Sequence, residues 1–287
     1  MDKIWFITGA SRGLGLEIAR AAIAANDKVV ATGREAAAIE RAFADEDAGD
    51  RLLALALDVT DPDRAETATA EAISTFGRID VLVNNAGYGQ LGYFETLTAE
   101  QIERQYGTNV FGLFNVTRAV LPHMRRQRSG HILNISSIGG VVGFGAAAAY
   151  TSTKFAIEGF SEDLAIDIAP FGVHVTIVEP GFFRTDFLDS SSVKYGDIAV
   201  NDYAARDKEL REHYGAYSHR QLGDPRKLGQ ALLEIVDAEE PPLRFAAGSD
   251  SVKMTRDTLE RRLTELERWR GLSETTDHED ARKGAPA

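Results

Sequence analysis

The sequence predicts a doubly wound α/β fold: a parallel sheet of about seven strands with helices on both faces, a helical lid and a C-terminal helix. Two observations along the chain carry that expectation, and its length adds a third. Short apolar runs alternate with longer amphipathic stretches from Lys3 to Ala169, and such alternation implies right-handed crossovers and a sheet covered on both sides. A glycine-rich turn follows the first apolar run directly. No internal repeat or low-complexity linker divides the 287 residues, a length that α/β folds often use as one unit.

Taken in order, the strands are expected at residues 3–7, 28–32, 51–57, 79–83, 130–136 and 173–178, each a buried run rich in Val, Ile, Leu or Ala. Helical patterns lie between them at about 14–25, 36–43, 62–76, 100–127 and 150–169. From about 185 to 222 the strand pattern lapses into a polar stretch of helical character with Ser and Tyr residues. Its length exceeds that of ordinary connections, so it reads as a lid. After Asp224-Pro225 a helix to Asp237, a last strand at 243–246 and a charged amphipathic helix at 251–270 complete a single catalytic domain, 1–272. The segment 273–287 reads as a flexible tail.

Composition narrows the function classes. A hydrophobic share of 44% and a charged share of 26% suit a globular protein with a sizeable core. The net charge of -12 repels a phosphate backbone, so nucleic acid is not an expected partner. There is no cysteine, which removes disulfides, thiolate metal sites and cysteine nucleophiles together. The six histidines are scattered without ligand spacing, and no metal is expected. The N-terminus lacks a basic stretch before its apolar run, and no segment approaches the roughly 20 apolar residues needed to span a bilayer. A soluble, cytoplasmic protein is expected.

In open α/β sheets ligands bind beyond the carboxyl ends of the strands, so the residues just after each strand matter most. After the first strand stand Thr8-Gly9-Ala10-Ser11-Arg12-Gly13-Leu14-Gly15. Gly9, Gly13 and Gly15 occupy positions where side chains would keep a pyrophosphate from the backbone amides and the positive end of the following helix. After the second strand stand Thr32-Gly33-Arg34, with no acid at the strand end. A carboxylate there would bind the 2′-hydroxyl of NAD, whereas an arginine accommodates the 2′-phosphate of NADP. Arg34, with Arg12 reaching the same side, favours NADP(H), although Glu35 follows and offsets part of that field. Taken singly, Arg34 also reads as a solvated surface charge and Arg12 as a charge at the helix start.

Tyr150 and Lys154 open the helix after the fifth strand, four residues apart and so on one face. A free tyrosine has a pKa of about 10 and trades protons poorly near neutrality, so a fixed cation beside it is what proton-transfer chemistry requires. YxxxK taken alone describes many surface pairs. The same chain also carries Asp58-Val59 after the third strand, Asn84-Asn85-Ala86-Gly87 after the fourth and Ser136-Ser137 after the fifth. Pro180-Gly181-Phe182-Phe183-Arg184-Thr185 follows the sixth.

In this order the motifs, GxxxGxG, NNAG, YxxxK and PGxxxT, resemble those of the short-chain dehydrogenase/reductase superfamily over about 3–185, and more loosely through 243–246. The resemblance implies a Rossmann-type nucleotide-binding fold and hydride transfer between a nicotinamide and a carbonyl or alcohol carbon. It assigns the catalytic roles to Asn109, Ser137, Tyr150 and Lys154. Tyr150 donates the proton, Ser137 orients the substrate oxygen, and Lys154 tunes the phenol and holds the nicotinamide ribose. Asn109 supports a water-linked proton path. The implied cofactor residues are Gly9, Ser11, Arg12, Gly13, Leu14, Gly15, Arg34, Asp58, Val59, Asn85, Ala86, Gly87, Tyr150, Lys154, Pro180, Gly181 and Thr185. In that assignment Asp58 contacts the adenine amino group and Thr185 the carboxamide, with helix capping an open second role for both.

Val141, Val142, Phe144, Tyr88, Leu91, Tyr93, Phe182, Phe183, Phe187 and Leu188 form the expected substrate wall, suited to a hydrophobic ketone, aldehyde or secondary alcohol. Homodimers or homotetramers through the helices at 100–127 and 150–169 are implied by the resemblance, and Leu259, Leu263 and Leu266 on the last helix bear on that assembly. Two alternatives stay open. One is a 3-oxoacyl-carrier ketoreductase, whose acidic partner would dock on Arg125, Arg126 and Arg128. The other is a non-catalytic NADP(H) sensor.

Overall fold

The computed structural model describes residues 2–189 and 192–278. Its strands are β1 (Ile4–Ile7), β2 (Lys28–Gly33), β3 (Leu52–Ala56), β4 (Val81–Asn84), β5 (Gln90–Leu91), β6 (Gly130–Ile135), β7 (Val173–Pro180), β8 (Lys194–Tyr195) and β9 (Arg244–Ala247). Seven of them form one sheet in the order β3-β2-β1-β4-β6-β7-β9, with every pairing parallel. This is the doubly wound α/β architecture that the alternation predicts. The helices are α1 (Gly13–Ala24), α2 (Ala36–Ala42), α3 (Pro62–Phe76), α4 (Ala99–Tyr106), α5 (Gly112–Gln127), α6 (Ala148–Ile168), α7 (Ala204–Tyr217), α8 (Pro225–Asp237) and α9 (Ser249–Glu274).

Strands buried on both faces must be apolar throughout, and β1, Ile4-Trp5-Phe6-Ile7, is buried at every residue. Alternate side chains serve opposite layers. Trp5 and Ile7 pack with Ile18, Ala22, Leu228 and Leu232 of α1 and α8. Phe6 packs with Ala65, Ala68, Val116 and Val120 of α3 and α5. The chain winds outward from β1 in both directions, and the crevice between β1 and β4 is where such a sheet binds ligands. Asp61, not Asp58, caps α3 by accepting from the Arg64 amide at 3.0 Å, with Pro62 at the first helical position.

Two expectations need adjustment. The helix expected at 100–127 is two helices joined by a π turn, Gly107–Phe111, which carries Asn109. An extra residue in a helical turn redirects the side chains around it. Gly112 then packs so tightly on the loop after β3 that a Cβ there would sit 2.5 Å from Val59 Cγ2. Pro180 is the last residue of β7, paired with Ala247 of β9. A two-residue parallel ladder, β5 with β8, ties the segment after β4 to the lid. The last helix continues to Glu274, so residues 273 and 274, expected in the tail, are helical. Residues 190 and 191 of the lid and 279–287 of the tail lie outside the described residues. No helix among the described residues is long and apolar enough to cross a membrane.

Candidate active site

A cavity of about 1270 Å³ opens beyond the carboxyl ends of β1, β2, β4, β6 and β7. At one end lies the glycine loop. Gly9 and Gly13 take φ values of +66° and +60°, which side chains rarely adopt. No side chain caps α1, leaving its first amides for another acceptor. Gly15 is a matter of space: a Cβ there would lie 2.5 Å from both Gly9 O and Asn85 Nδ2. The Asn85 amide holds the loop by donating to Thr8 O at 2.8 Å and Gly9 O at 3.1 Å. Asn84 performs the strand tie, donating to Asn134 Oδ1 and Thr117 Oγ1, both at 2.9 Å.

Of the residues expected to hold a cofactor, all but Gly15 line the cavity: Gly9, Ser11, Arg12, Gly13, Leu14, Arg34, Asp58, Val59, Asn85, Ala86, Gly87, Tyr150, Lys154, Pro180, Gly181 and Thr185. Arg12 and Arg34 are exposed on its rim. Asp58 uses Oδ1 to accept from the Thr60 amide and hydroxyl, at 2.9 and 2.8 Å. Thr185 Oγ1 accepts from Phe187 N at 3.3 Å, so it caps a short 3-10 turn while facing Gly13 across the cavity.

At the centre stand Ser137, just past β6, and Tyr150 and Lys154 in the first turns of α6. Ser137 Oγ accepts from Gly139 N at 3.0 Å, which fixes the hydroxyl at the head of its turn. Burial pushes the Tyr150 phenol up to about 12, a hydrogen bond with Ser137 pulls the other way, and Tyr214 adds to the rise. Burial brings the Lys154 ammonium down to about 8, against the attraction of Glu158. Lys154 Nζ donates to Ile135 O at 2.8 Å and lies 5.8 Å from the centroid of the Tyr150 ring. The phenol's direct partner is thus Ser137, with the ammonium alongside the ring.

Asn109 is buried behind the cavity wall, not in it. Its amide clamps Tyr88, accepting from the backbone N at 3.2 Å and donating to the carbonyl at 3.1 Å. It also donates to Thr153 Oγ1 at 3.2 Å, between Tyr150 and Lys154 on α6. Asn109 thereby joins the Gly87-Tyr88 loop to the helix carrying Tyr150.

On the far side Tyr88, Leu91, Phe144, Phe182, Phe183, Phe187 and Leu188 line the cavity as expected, while Val141, Val142 and Tyr93 do not. Tyr93 stacks on Tyr203 with centroids 4.4 Å apart. The Val141 carbonyl accepts from Arg262 of α9 at 2.6 Å. The lid supplies residues missed from the sequence: Tyr195, Arg211 and Tyr214. The Arg211 guanidinium lies 4.4 Å over the Tyr195 ring. Only the aromatic content of a polar stretch signalled them.

Residues 3–195, the span that holds Gly9, Asn85, Ser137, Tyr150 and Lys154, match the short chain dehydrogenase family. The chain belongs to that family. This short-chain dehydrogenase, an oxidoreductase enzyme by family, is 38% identical to an oxidoreductase of Botryotinia fuckeliana over 95% of its own length and 98% of the relative's. It is 40% identical to a 3-ketodihydrosphingosine reductase of Bacteroides thetaiotaomicron over 86% and 88% of the two chains. A short-chain dehydrogenase crystal structure from Streptomyces avermitilis superposes with a TM-score of 0.87 at 40% identity, covering 96% of this chain and 100% of that one.

Proposed function

We propose that this dehydrogenase interconverts a hydrophobic ketone or aldehyde with its alcohol, using NADP(H). The observation that carries the reading is the convergence of Ser137, Tyr150 and Lys154 on the cavity whose other end is the glycine loop. The pocket's glycine end suits a dinucleotide: Gly9 and Gly13 adopt backbone geometry that side chains rarely take, and no side chain caps the α1 amides. Gly9, Ser11, Gly13 and Leu14 would hold the pyrophosphate, Asp58 and Val59 the adenine, and Arg12 and Arg34 the 2′-phosphate. Pro180, Gly181 and Thr185 would seat the carboxamide. When bound, the nicotinamide supplies or accepts the hydride at the substrate carbon.

This chain's residues do the rest. Ser137 presents its hydroxyl to the substrate oxygen, and Tyr150, protonated at neutral pH, gives that oxygen its proton. The carbonyl carbon gains the hydride, the oxygen gains the proton, and the alcohol leaves. Lys154 keeps a positive charge beside the ring, which favours the tyrosinate that remains. Phe144, Phe182 and Phe187 exclude water and suit an apolar substrate. The Bacteroides relative, named for reducing a keto compound, supports reduction of a ketone. Assembly through α5 and α6 as a homodimer or homotetramer draws on Phe111 and Phe155, both exposed near those helices.

NADPH consumption over a panel of carbonyl compounds tests the reading. Tyr150→Phe is expected to bind NADPH as wild type does and to lose turnover by about a thousandfold, as removal of a general acid does. Turnover that survives in Tyr150→Phe overturns the mechanism, and tight NADPH binding without turnover of any carbonyl by the wild-type chain points to a sensor.

A further inference from the structure

Glu158 lies one helical turn beyond Lys154 on α6 and is buried, with 6% of its surface exposed. Its Oε2 accepts from Arg244 of β9 at 3.2 Å. Its Oε1 turns the other way, toward the residues that shape the active site. A Cβ placed on Gly140 would meet Glu158 Oε1 at 2.8 Å and Ser136 Oγ at 2.6 Å, so both oxygens crowd the same backbone carbon. Ser136 directly precedes Ser137, and Gly140 closes the turn by donating to the Ser137 carbonyl, while the Gly139 amide of the same turn fixes the Ser137 hydroxyl.

A second carboxylate shares the site. Glu179 of β7, 1% exposed, reaches the same guanidinium, with Arg244 Nε 3.3 Å from its Oε1. The exposed Glu162 takes the third position at 2.7 Å. The groups facing Glu158 are thus Lys154 and Glu162 from its own helix, Glu179 from β7, Arg244 from β9 and Ser136 from the end of β6. Two buried carboxylates against one guanidinium cannot both ionise cheaply. Burial raises Glu158, and burial together with Glu158 pushes Glu179 up to about 7. Lys154 stands one turn back on the same helix, and Glu158 supports its charge.

We propose that Glu158 is a positioning residue of the hydride-transfer site: as the buried carboxylate one turn beyond Lys154 it braces the Ser136–Gly140 turn and maintains the charge on that lysine. The proposal rests on the reaction given above, but its central claim, the coupling of Glu158 to Lys154, is measurable without turnover.

The experiment is a pH titration of the full chain with 13Cε-labelled lysine, followed by NMR, with the Lys154 signal assigned from Lys154→Met. In wild type the signal is expected to titrate near 8. Glu158→Gln is expected to lower that midpoint by about half a unit to one unit, and to move the alkaline limb of reductive turnover down with it. Glu162→Gln, which removes an exposed charge from the same guanidinium, leaves the midpoint in place. Glu158→Asp, which keeps the buried carboxylate but draws it back by one methylene, lowers the midpoint by less; this variant keeps the test alive if Glu158→Gln fails to fold. An unchanged Lys154 midpoint in a folded Glu158→Gln with wild-type NADPH affinity overturns the proposal. Equal shifts in Glu158→Gln and Glu162→Gln, or an unchanged midpoint in Glu158→Asp where Glu158→Gln does not fold, do the same. A wild-type chain that turns over no carbonyl refutes the reaction alone, and the titration still decides the role of Glu158.

Discussion

Gly15→Ala tests whether the glycine loop is held by space or only by conformation. Gly15 is helical, so alanine suits its backbone and gains about 1 kcal/mol of helix propensity. Against that, the new Cβ would stand 2.5 Å from Gly9 O, a backbone atom, and 2.5 Å from Asn85 Nδ2. Overpacking of this kind costs about 1–3 kcal/mol. Relief by moving the Asn85 amide forfeits its bonds to Thr8 O and Gly9 O, at about 0.5–1.5 kcal/mol each. The net expectation is a loss of about 3 kcal/mol, or roughly 6–10 °C in Tm for a chain of this size. Because Gly9 is the atom pushed, NADPH affinity falls as well. Thermal unfolding by circular dichroism and NADPH titration by fluorescence measure the two effects. A Tm within a degree or two of wild type, with unchanged affinity, refutes the argument. Gly13→Ala is the contrast: its Cβ meets nothing nearer than Thr185 at 3.7 Å, so its cost is the left-handed backbone alone, about 1–2 kcal/mol.

Further outcomes follow from the same geometry. Arg34→Asp replaces a cation on the cavity rim with an anion and is expected to shift the NADPH-to-NADH ratio of kcat/KM by more than about tenfold toward NADH; an unmoved ratio removes Arg34 from cofactor choice. With Lys154 near 8 and Tyr150 near 12, reduction should hold steady at lower pH and decline above about 8. Oxidation, which needs the phenol deprotonated, should rise with pH, and kcat profiles in both directions check the pair. His131 is buried against Thr176 Oγ1 at 2.9 Å, and burial, helped by His174, drives its pKa down to about 3. The unfolded chain takes up that proton near 6.5, so the contribution to stability is complete above about 6.5 and is lost as pH falls toward 3. Urea unfolding between pH 7 and 5 should show a slope of up to about 1.4 kcal/mol per unit that His131→Gln reduces; parallel slopes in the two proteins would contradict this.

The sheet was legible because strands covered on both faces cannot hide their composition: Ile4-Trp5-Phe6-Ile7 and Val81-Leu82-Val83 are unbroken apolar runs. The motif residues were legible for a related reason, since each follows a strand and so reaches the same edge of the sheet. The π turn was not, because Gly107-Thr108-Asn109-Val110-Phe111 continues a plausible helical pattern and only its packing against Val59 and Tyr88 reveals the extra residue. Strands β5 and β8 are two residues each, too short to carry a period. The contributions of Tyr195, Arg211 and Tyr214 depend on how the lid folds over the cavity. The Glu158 cluster was invisible because its cation, Arg244, lies 86 positions away on the last strand.

That last separation bears on how the molecule is made. β1 emerges first yet pairs with β4, and Gly9 waits 76 residues for the Asn85 amide that secures it, roughly 4–15 s of synthesis at ordinary elongation rates. The wait for β9 is longer still. Until Arg244 leaves the ribosome, the two carboxylates destined for the interior have no guanidinium to meet, and β7 remains an open edge without its outer neighbour. The sheet is therefore complete only once the final sixth of the chain has been made. A nascent or C-terminally shortened polypeptide carries every motif of the family while its sheet is still unfinished.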